Sequence, residues 1–319
     1  MCLIPTHILE GMEKSKEMKV LLVGGFGFLG KNMIKKFSND HELIVYTREK
    51  TTESTKINDL QVAAIEKGLI EDKKIHDVIK KYKPDVVVHL AALSGLRKCE
   101  ENTFEAFQVN VFGTFNIIKA CLETHSKIIF ISSREVYGET LSNESTEDDP
   151  LIPNNIYGIT KMIGETLVKH AGHKHNLDYT ILRLSNVYGP EGGQGGVNRI
   201  IKTAVEEKRI QINGGNQFMN FVYVEDVVDL IMSILDDNRS SKQIFNVGSV
   251  DTLTVNEFAT KVVRLVEGEI KLEYFPRIEF ETICFKPSLI KLEKILKFRA
   301  KTDLKTGIEK TIKWYKYEH

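Results

Sequence analysis

Four side chains in the middle of the sequence have the types and spacing of an acid–base site. Ser133 and Glu135 follow the apolar run 127–132, and Tyr157 and Lys161 stand four residues apart at the start of a helical pattern. Residues four apart share a helix face, so we expect the Lys161 cation to favour the Tyr157 phenolate. Lowering a phenol pKa of about 10 by about two units is worth about 2.7 kcal/mol, which a close cation in a dry cleft can supply. Tyr157 would then take the proton of a substrate hydroxyl, with Ser133 hydrogen-bonded to the same oxygen.

A glycine-rich turn near the N-terminus carries the second chemical signal. Residues 19–23 are a short apolar run typical of a buried strand, and Gly24, Gly27 and Gly30 lead from it into an amphipathic stretch over 31–37. Such a turn lets the backbone approach a diphosphate closely and directs a helix N-terminus at its charge. The spacing is GxxGxxG rather than GxGxxG, and an ordinary glycine turn is the alternative. The flanking strand and helix favour a dinucleotide, which could accept the hydride lost when a carbinol is oxidised.

The end of the second predicted strand bears on which dinucleotide binds. Residues 42–46 predict that strand, and Thr47 and Arg48 follow it where an NAD site usually has an acidic residue for the ribose 2′-hydroxyl. No carboxylate stands there, and an arginine can bind the 2′-phosphate of NADP instead. A solvated Arg48 is the alternative. The sequence therefore favours NADP and leaves NAD open.

The remaining patterns predict a Rossmann-type, doubly wound parallel α/β sheet. Further strands are predicted over 62–64, 85–90, 127–132, 177–184 and 221–224, the last rejoining the main sheet, with helices over 72–82 and 103–123. Small residues at Ala91 and Ala92 leave room for a ligand at a strand end. Asn110 interrupts the apolar face of the long helix, so it must hold a water or a backbone group. We expect residues 18–185, rejoined by about 221–250, to bind the dinucleotide, and 186–220 with 251–319 to form a smaller substrate-binding region.

Composition narrows the class of protein. The chain has 319 residues with 44 basic and 44 acidic side chains, so its formal net charge is zero. With no basic block and no membrane-length apolar run, we expect neither a nucleic-acid nor a membrane partner. The four cysteines lack metal-ligand spacing, so we expect reduced thiols, no metal and a cytoplasmic location. Residues 1–17 show no signal-peptide pattern and are expected to form a flexible extension.

Seven stretches in order between residues 24 and 228 resemble one known family. They are GGFGFLG, VVHLAAL, VNVFGT, ISSREVYG, YGITK, LRLSNVYGP and FVYVEDV. The chain resembles the extended short-chain dehydrogenases/reductases, the NAD(P)-dependent nucleotide-sugar epimerases and dehydratases. The resemblance implies that Ser133, Tyr157 and Lys161 form a catalytic triad, with Lys161 also holding the nicotinamide ribose. It further implies a cofactor site that includes Phe28, Leu29, Leu90, Ala91, Ala92 and Asn110, and substrate contacts from Ser94 and from Asn186, which would face the substrate diphosphate.

Three departures from the family pattern qualify this expectation. Leu69 and Ile70 stand in the cofactor site where relatives carry an Asp that contacts adenine. Met219 replaces an Arg that commonly binds the substrate diphosphate, so either Arg199 or Arg277 would have to neutralise that charge, or the substrate is not a typical nucleotide sugar. Glu135 matches the family's dehydratases and decarboxylases, but Arg134 stands where a dehydratase has Asp, which disfavours dehydration.

Three functions remain open from the sequence. The first is a nucleotide-sugar epimerase that oxidises C4, lets the ketone turn over and returns the hydride to the other face. The second is an NADP-dependent sugar or ketone reductase, favoured by Arg48, or a nucleotide-sugar decarboxylase, favoured by Glu135. The third is a non-catalytic NADP-binding sensor. Apolar surplus on the helical stretches 104–118 and 157–168 predicts a two-fold homodimer that buries at least about 1,200 Å².

Overall fold

The computed structural model describes residues 17–48, 56–57, 60–70, 72–139, 144–193 and 195–317. The extension expected over residues 1–17 lies, apart from Glu17, outside the described residues. In chain order the strands are β1 Lys19–Val23, β2 Glu42–Thr47, β3 Lys56–Ile57, β4 Leu60–Gln61, β5 Ala64–Lys67, β6 Val86–His89, β7 Lys127–Ser133, β8 Tyr179–Leu184, β9 Asn186–Tyr188, β10 Arg209–Asn213, β11 Phe218–Tyr223, β12 Gln243–Val247, β13 Thr252–Thr254 and β14 Lys271–Phe275.

The helices alternate with the strands of the first half and cluster in the second. They are α1 Phe28–Phe37, α2 Lys73–Tyr82, α3 Leu96–Glu101, α4 Thr103–Phe107, α5 Gly113–Thr124, α6 Ile156–His175, α7 Gly196–Glu206, α8 Val224–Ser233, α9 Val255–Leu265, α10 Ile290–Leu296 and α11 Leu304–Tyr317. A π-helical turn, Gln108–Phe112, joins α4 to α5, and short 3₁₀ turns cover Arg134–Val136 and Asn238–Ser240. Of the helices in the described ranges, none is long and apolar enough to cross a membrane.

A parallel sheet with helices on both faces forms the centre of the molecule. Within the described residues its seven strands run in the order β12-β8-β7-β6-β1-β2-β5. The side chains of β1 alternate between two cores: Val20 and Leu22 face one, and Leu21 and Val23 face the other. All four are fully buried, as the apolar run predicts. The strand order reverses between β1 and β6, where open α/β sheets form a ligand crevice. The predicted Rossmann-type fold is confirmed.

A third apolar cluster lies outside this sheet, in the C-terminal half. It joins α7, α9 and α11 to the small sheet β13-β11-β9, with Phe221, Phe258 and Trp314 among its buried members. The expectation that the strand near 221–224 rejoins the main sheet is wrong, because β11 pairs with β9 and β13. The strand that does return is β12, which pairs with β8 in parallel.

Two helical predictions also change in the structure. The helix predicted over 103–123 contains the π turn at Asn110, where one extra residue is accommodated. The helix predicted to begin at residue 31 begins at Phe28, so its first turn is the glycine turn itself. The first difference places Asn110 beside Leu93, which follows β6. The second places the N-terminus of α1 directly after the glycine turn that follows β1.

Candidate active site

The glycine turn after β1 leaves the N-terminus of α1 open to a ligand. Gly27 is the N-cap residue of α1, no side chain caps the helix, and its first turn carries no acidic residue. The first backbone N–H groups of a helix have no partner within it, so they attract an anion. Gly24 has φ +89°, and a Cβ there would lie 2.8 Å from the Ala91 backbone. A Cβ at Gly30 would lie 2.4 Å from the Gly25 carbonyl oxygen, so the turn packs only with glycine at both positions.

A cavity of about 380 Å³ opens beside this helix end. It lies at the carboxyl ends of β1, β2 and β6, the place expected from the sheet order. Its wall includes fourteen of the fifteen predicted cofactor residues: Gly24, Gly27, Phe28, Leu29, Gly30, Thr47, Arg48, Leu69, Ile70, Leu90, Ala91, Ala92, Tyr157 and Lys161. An open helix N-terminus at a long, partly apolar cleft fits a dinucleotide. We call this the dinucleotide cavity.

Ser94 also lines the dinucleotide cavity and does not line the neighbouring one. Its predicted place among the substrate residues is therefore not supported, although the next residue, Gly95, does line the neighbouring cavity. Arg48 lies at the rim of the dinucleotide cavity, and its Nη1 is 3.8 Å from Glu105 Oε1. The guanidinium is more than half exposed, so this pairing is weak and leaves it able to bind another anion.

A second cavity, of about 440 Å³, adjoins the first and lies toward the C-terminal cluster. Ser133, Glu135, Asn186 and Arg199 of the predicted residues line it. Tyr157 lines both cavities, with Lys161 on the dinucleotide side and Ser133 on the other. The phenol therefore stands where a bound cofactor and a second molecule would meet. We call the second one the sugar cavity, after the substrate class that the family resemblance implies.

Tyr157 is held in place by groups at the start of α6. Asn155 is the N-cap: its Oδ1 accepts from Gly158 N at 2.8 Å, and its Nδ2 donates to Glu135 Oε2 at 2.8 Å. A Cβ at Gly158 would lie 2.3 Å from the Glu135 carbonyl oxygen, so only glycine lets α6 approach the turn after β7 this closely. Thr160 Oγ1 donates to the Tyr157 carbonyl oxygen at 2.8 Å.

Asn110 positions the backbone and does not line the dinucleotide cavity. Its Oδ1 accepts from Leu93 N at 2.7 Å, and its Nδ2 donates to the Leu93 carbonyl at 3.0 Å and to Thr160 Oγ1 at 2.9 Å. The assignment of Asn110 as a cofactor-binding residue is therefore corrected, because its whole amide is used within the protein. The expectation that it holds a backbone group near the site is confirmed.

The electrostatics of Tyr157 and Lys161 differ from the expectation. Burial raises the pKa of Tyr157, and Cys99 and Glu135 add to the rise. The side chain is only partly exposed, where it lines the two cavities. Burial also lowers the pKa of Lys161 to about 8. Lys161 Nζ donates to the Ile131 carbonyl at 2.8 Å and lies 5.8 Å from the centre of the Tyr157 ring. The cation alone therefore does not produce a phenolate, because desolvation of both groups outweighs their attraction.

Glu135 is buried and fully engaged by the protein. Its Oε1 pairs with Arg134 Nη2 at 2.8 Å, and its Oε2 accepts from Asn155 Nδ2 and, at 3.3 Å, from Thr282 Oγ1. Ser133 Oγ accepts from Glu135 N at 3.2 Å, so its own proton stays available for a ligand. Ser133 is thus poised to bind a substrate oxygen, whereas Glu135 helps to fix the turn.

The structure separates the two arginines proposed for the substrate diphosphate. Arg199, on α7, lines the sugar cavity. Arg277 is exposed and does not line it; its Nη1 donates to three carbonyls of its own loop, including that of Glu281 at 2.6 Å. Arg277 is therefore removed from the predicted substrate residues. Met219 does lie in the cavity wall, as its sequence position indicated.

Sequence reasoning missed several polar residues of the sugar cavity. The wall also contains Arg97, Lys98, Gln211, Asn213, Gln217 and Glu281. Glu281 Oε2 accepts from Gln217 Nε2 at 3.0 Å, and burial raises the pKa of its carboxyl group. Arg97 and Lys98 lie on α3, Gln211 and Asn213 on β10, and Gln217 and Glu281 in separate loops, so no local spacing brings the six residues together. The sequence around them shows only polar residues next to apolar ones, a pattern that predicts neither an element nor a site.

Comparisons with known proteins agree with this geometry. Residues 20–248 match the model of the NAD dependent epimerase/dehydratase family. A putative UDP-glucose 4-epimerase of Methanocaldococcus jannaschii is 30% identical over 93% of this chain and 98% of its own length. A UDP-N-acetyl-alpha-D-glucosaminuronate decarboxylase of Bacillus cytotoxicus is 28% identical over 93% of this chain and 98% of its own length.

A solved structure gives the same fold. The UDP-glucose 4-epimerase of Thermus thermophilus, in complex with NAD, superposes with a TM-score of 0.85 at 23% identity, over 94% of this chain and 99% of that one. The family match covers more than half of the chain and includes the glycine turn, Ser133, Tyr157 and Lys161. The chain therefore belongs to the NAD-dependent epimerase/dehydratase family.

Proposed function

We propose that this protein is an NAD(P)-dependent nucleotide-sugar 4-epimerase. The observation that carries the proposal is the position of Tyr157, which lines both cavities, with Lys161 on the dinucleotide side and Ser133 on the sugar side. This arrangement suits the oxidation of a carbinol held between a cofactor and an acid–base residue. The relatives named for epimerisation share this chain's length almost completely, which supports the same reaction class here.

Each catalytic side chain has a role that follows from its surroundings. Ser133 Oγ donates a hydrogen bond to the sugar 4-oxygen, and the Tyr157 oxygen takes the 4-hydroxyl proton. When bound, the nicotinamide ring supplies the hydride acceptor and donor, and its positive charge offsets the burial that raises the pKa of Tyr157. Lys161 holds the nicotinamide ribose and stabilises the phenolate. After the 4-ketosugar turns its other face, Tyr157 returns the proton to the oxygen.

The sugar cavity is equipped for an anionic ligand. Four cationic side chains, Arg97, Lys98, Arg134 and Arg199, line it together with two carboxyl groups. We assign the substrate diphosphate to the region of Arg199 and Asn186, whose Nδ2 also donates to the Asn220 carbonyl at 3.0 Å. We further propose that residues 186–220 and 251–319 form the substrate-binding region and that residues 18–185 form the dinucleotide domain. The support is that almost all members of the third apolar cluster come from 186–220 and 251–319.

The choice between NADP and NAD depends on Arg48. NADP remains our preference because Arg48 lies at the rim of the dinucleotide cavity with a weak partner, Glu105, and because Tyr46 and Thr47, the last residues of β2, are not acidic. The relative that carries NAD in its solved structure makes NAD the direct alternative.

Decarboxylation of a nucleotide sugar is the second candidate function. It is favoured by Glu135 in the sugar cavity and by the decarboxylase among the relatives. Against it, both oxygens of Glu135 are bonded to protein groups, so the carboxylate has little freedom to act on substrate. A reductase would have to exchange its cofactor after each turnover. A non-catalytic sensor would not need Ser133, Tyr157 and Lys161, so the presence of all three argues against it.

We also propose that the protein is a two-fold homodimer. Phe104, Phe112 and Phe115 are 77%, 60% and 51% exposed on the helical segment that runs from α4 through the π turn into α5. Three exposed phenylalanines on adjoining turns make an apolar patch that a monomer rarely leaves open. Pairing this segment and α6 with their symmetry mates would cover it.

Product analysis tests the proposed reaction. The purified protein is incubated with UDP-glucose and with UDP-glucuronic acid, with NAD or NADP added, and the products are examined by NMR and mass spectrometry. The proposal predicts a 4-epimer of unchanged mass and no net consumption of cofactor. Loss of carbon dioxide would establish the decarboxylase instead, and net reduction of the added cofactor without epimer formation would establish an oxidoreductase, the reverse of the reductase reaction.

A further inference from the structure

Arg134 has a buried donor that the protein leaves unpaired. The residue follows Ser133 directly, its side chain is 5% exposed, and it forms part of the sugar-cavity wall. Its Nη2 pairs with Glu135 Oε1 at 2.8 Å, but its buried Nη1 has no hydrogen-bond partner in the described part of the chain. Burying an unsatisfied donor of a charged group destabilises a fold because the group loses its water and gains nothing in return. Such a donor at a cavity wall indicates a partner that arrives with a ligand.

The two neighbouring carboxyl groups, Glu135 and Glu281, leave Arg134 Nη1 without a hydrogen bond. Glu135 uses its second oxygen for Asn155 and Thr282. Glu281, across the cavity, accepts from Gln217. The Phe285 ring lies 5.8 Å from the Arg134 guanidinium carbon and excludes water on that side. A ligand oxygen in the sugar cavity would therefore find a desolvated, rigidly held guanidinium that is paired with Glu135 through Nη2 and still has an open donor at Nη1.

The position of Arg134 in the site indicates which part of a sugar would meet it. Under the proposed function, Ser133 and Tyr157 hold the oxygen on C4, and C6 is attached to C5, the neighbour of C4. A planar guanidinium binds a carboxylate better than it binds a hydroxyl group. We propose that the sugar cavity selects a nucleotide-linked uronic acid and that Arg134 binds its C6 carboxylate through Nη1. Binding requires a small rotation of the guanidinium, because Nη1 lies just behind the cavity surface. The proposal rests on the proposed function for the placement of C4.

Ligand discrimination tests the proposal. The Tyr157→Phe protein, loaded with cofactor, is titrated calorimetrically with UDP-glucuronic acid and with UDP-glucose, so that no turnover disturbs the affinities. We expect UDP-glucuronic acid to bind about tenfold or more tightly, as a charge-assisted contact allows. Adding Arg134→Met should remove this preference while changing UDP-glucose affinity less than about threefold. Equal weakening of both ligands would overturn the proposal, as would the absence of any preference for the uronic acid, including failure of both to bind.

A paired substitution keeps the experiment interpretable. Arg134→Met alone leaves Glu135 charged and buried without its cation, which can unfold the site. The double change Arg134→Met with Glu135→Gln removes both charges, and it should lose the preference to the same extent while retaining cofactor binding. Arg134→Lys, which keeps the charge but loses the planar fork, should retain part of the preference. If wild-type protein prefers the uronic acid but forms no 4-epimer, the proposed function fails and this inference stands. If it epimerises UDP-glucose as well as UDP-glucuronic acid, the inference alone fails.

Discussion

Replacing Lys161 with methionine should stabilise the cofactor-free fold in a pH-dependent way. The Lys161 side chain is 3% exposed, and burial lowers its pKa from 10.5 to about 8. Because the folded-state pKa lies below the unfolded-state value, the charged form destabilises the fold. This destabilisation is fully present below about pH 8 and is lost as the pH rises from about 8 to 10.5. At pH 7 it amounts to about 3 kcal/mol, and at pH 9.5 to about 1 kcal/mol.

Urea unfolding of the wild type and of Lys161→Met measures the effect. The methionine variant also loses the hydrogen bond to the Ile131 carbonyl. This loss reduces the stabilisation gained from removing the charge by about 1 kcal/mol at every pH. The difference in unfolding free energy between the two proteins should therefore fall by about 2 kcal/mol between pH 7 and pH 9.5, in favour of the wild type at the higher pH. Groups that do not interact with Lys161 cancel in this difference, whereas the pKa values of Cys99 and His89, which Lys161 lowers, change with it. Lys174→Met, at an exposed position on the same helix, controls for loss of a surface charge. A difference that does not change with pH would refute the reasoning that burial sets the state of Lys161.

Three further predictions concern turnover, cofactor choice and assembly. Tyr157→Phe removes the acid–base oxygen but keeps the ring, so turnover should fall about a hundredfold or more while cofactor binding, followed by fluorescence, persists; near-normal turnover would exclude Tyr157 from its role. Arg48→Ala should weaken NADP binding about tenfold or more and leave NAD binding nearly unchanged in parallel titrations, and an equal effect on both would show that Arg48 is only solvated. Light scattering should give twice the 36.3 kDa chain mass at micromolar concentration, and Phe115→Glu should shift the protein toward monomer; a wild-type mass of one chain would contradict the dimer.

The parts of the fold that could be predicted are those with local signals. β1 is predicted to its residue bounds, because four apolar residues between Lys19 and a glycine have few alternatives. Gly158 and Asn155 show what local patterns leave out: their roles depend on the turn after β7, more than fifteen residues away in sequence. The partner strands of β11 were likewise mispredicted, since apolar pattern indicates a strand but not the sheet it joins.

The pKa values of the site residues were harder to predict than the identity of those residues. Tyr157 and Lys161 share a helix face as expected, yet burial raises the pKa of one and lowers that of the other. Spacing in sequence gives proximity, whereas desolvation depends on everything packed around the pair. Arg134 shows the same limit, because its unpaired Nη1 follows from where Glu135, Asn155 and Thr282 place their own polar atoms.

The fate of the hydrogen on C4 tests the central claim most directly. The protein is incubated with a nucleotide sugar carrying deuterium at C4, and the product is examined by NMR without any cofactor-regenerating system. If C4 is oxidised and the same hydride is returned, the 4-epimer will form with deuterium retained at C4. A product that has exchanged its C4 label, or label recovered in free reduced cofactor, would contradict the account.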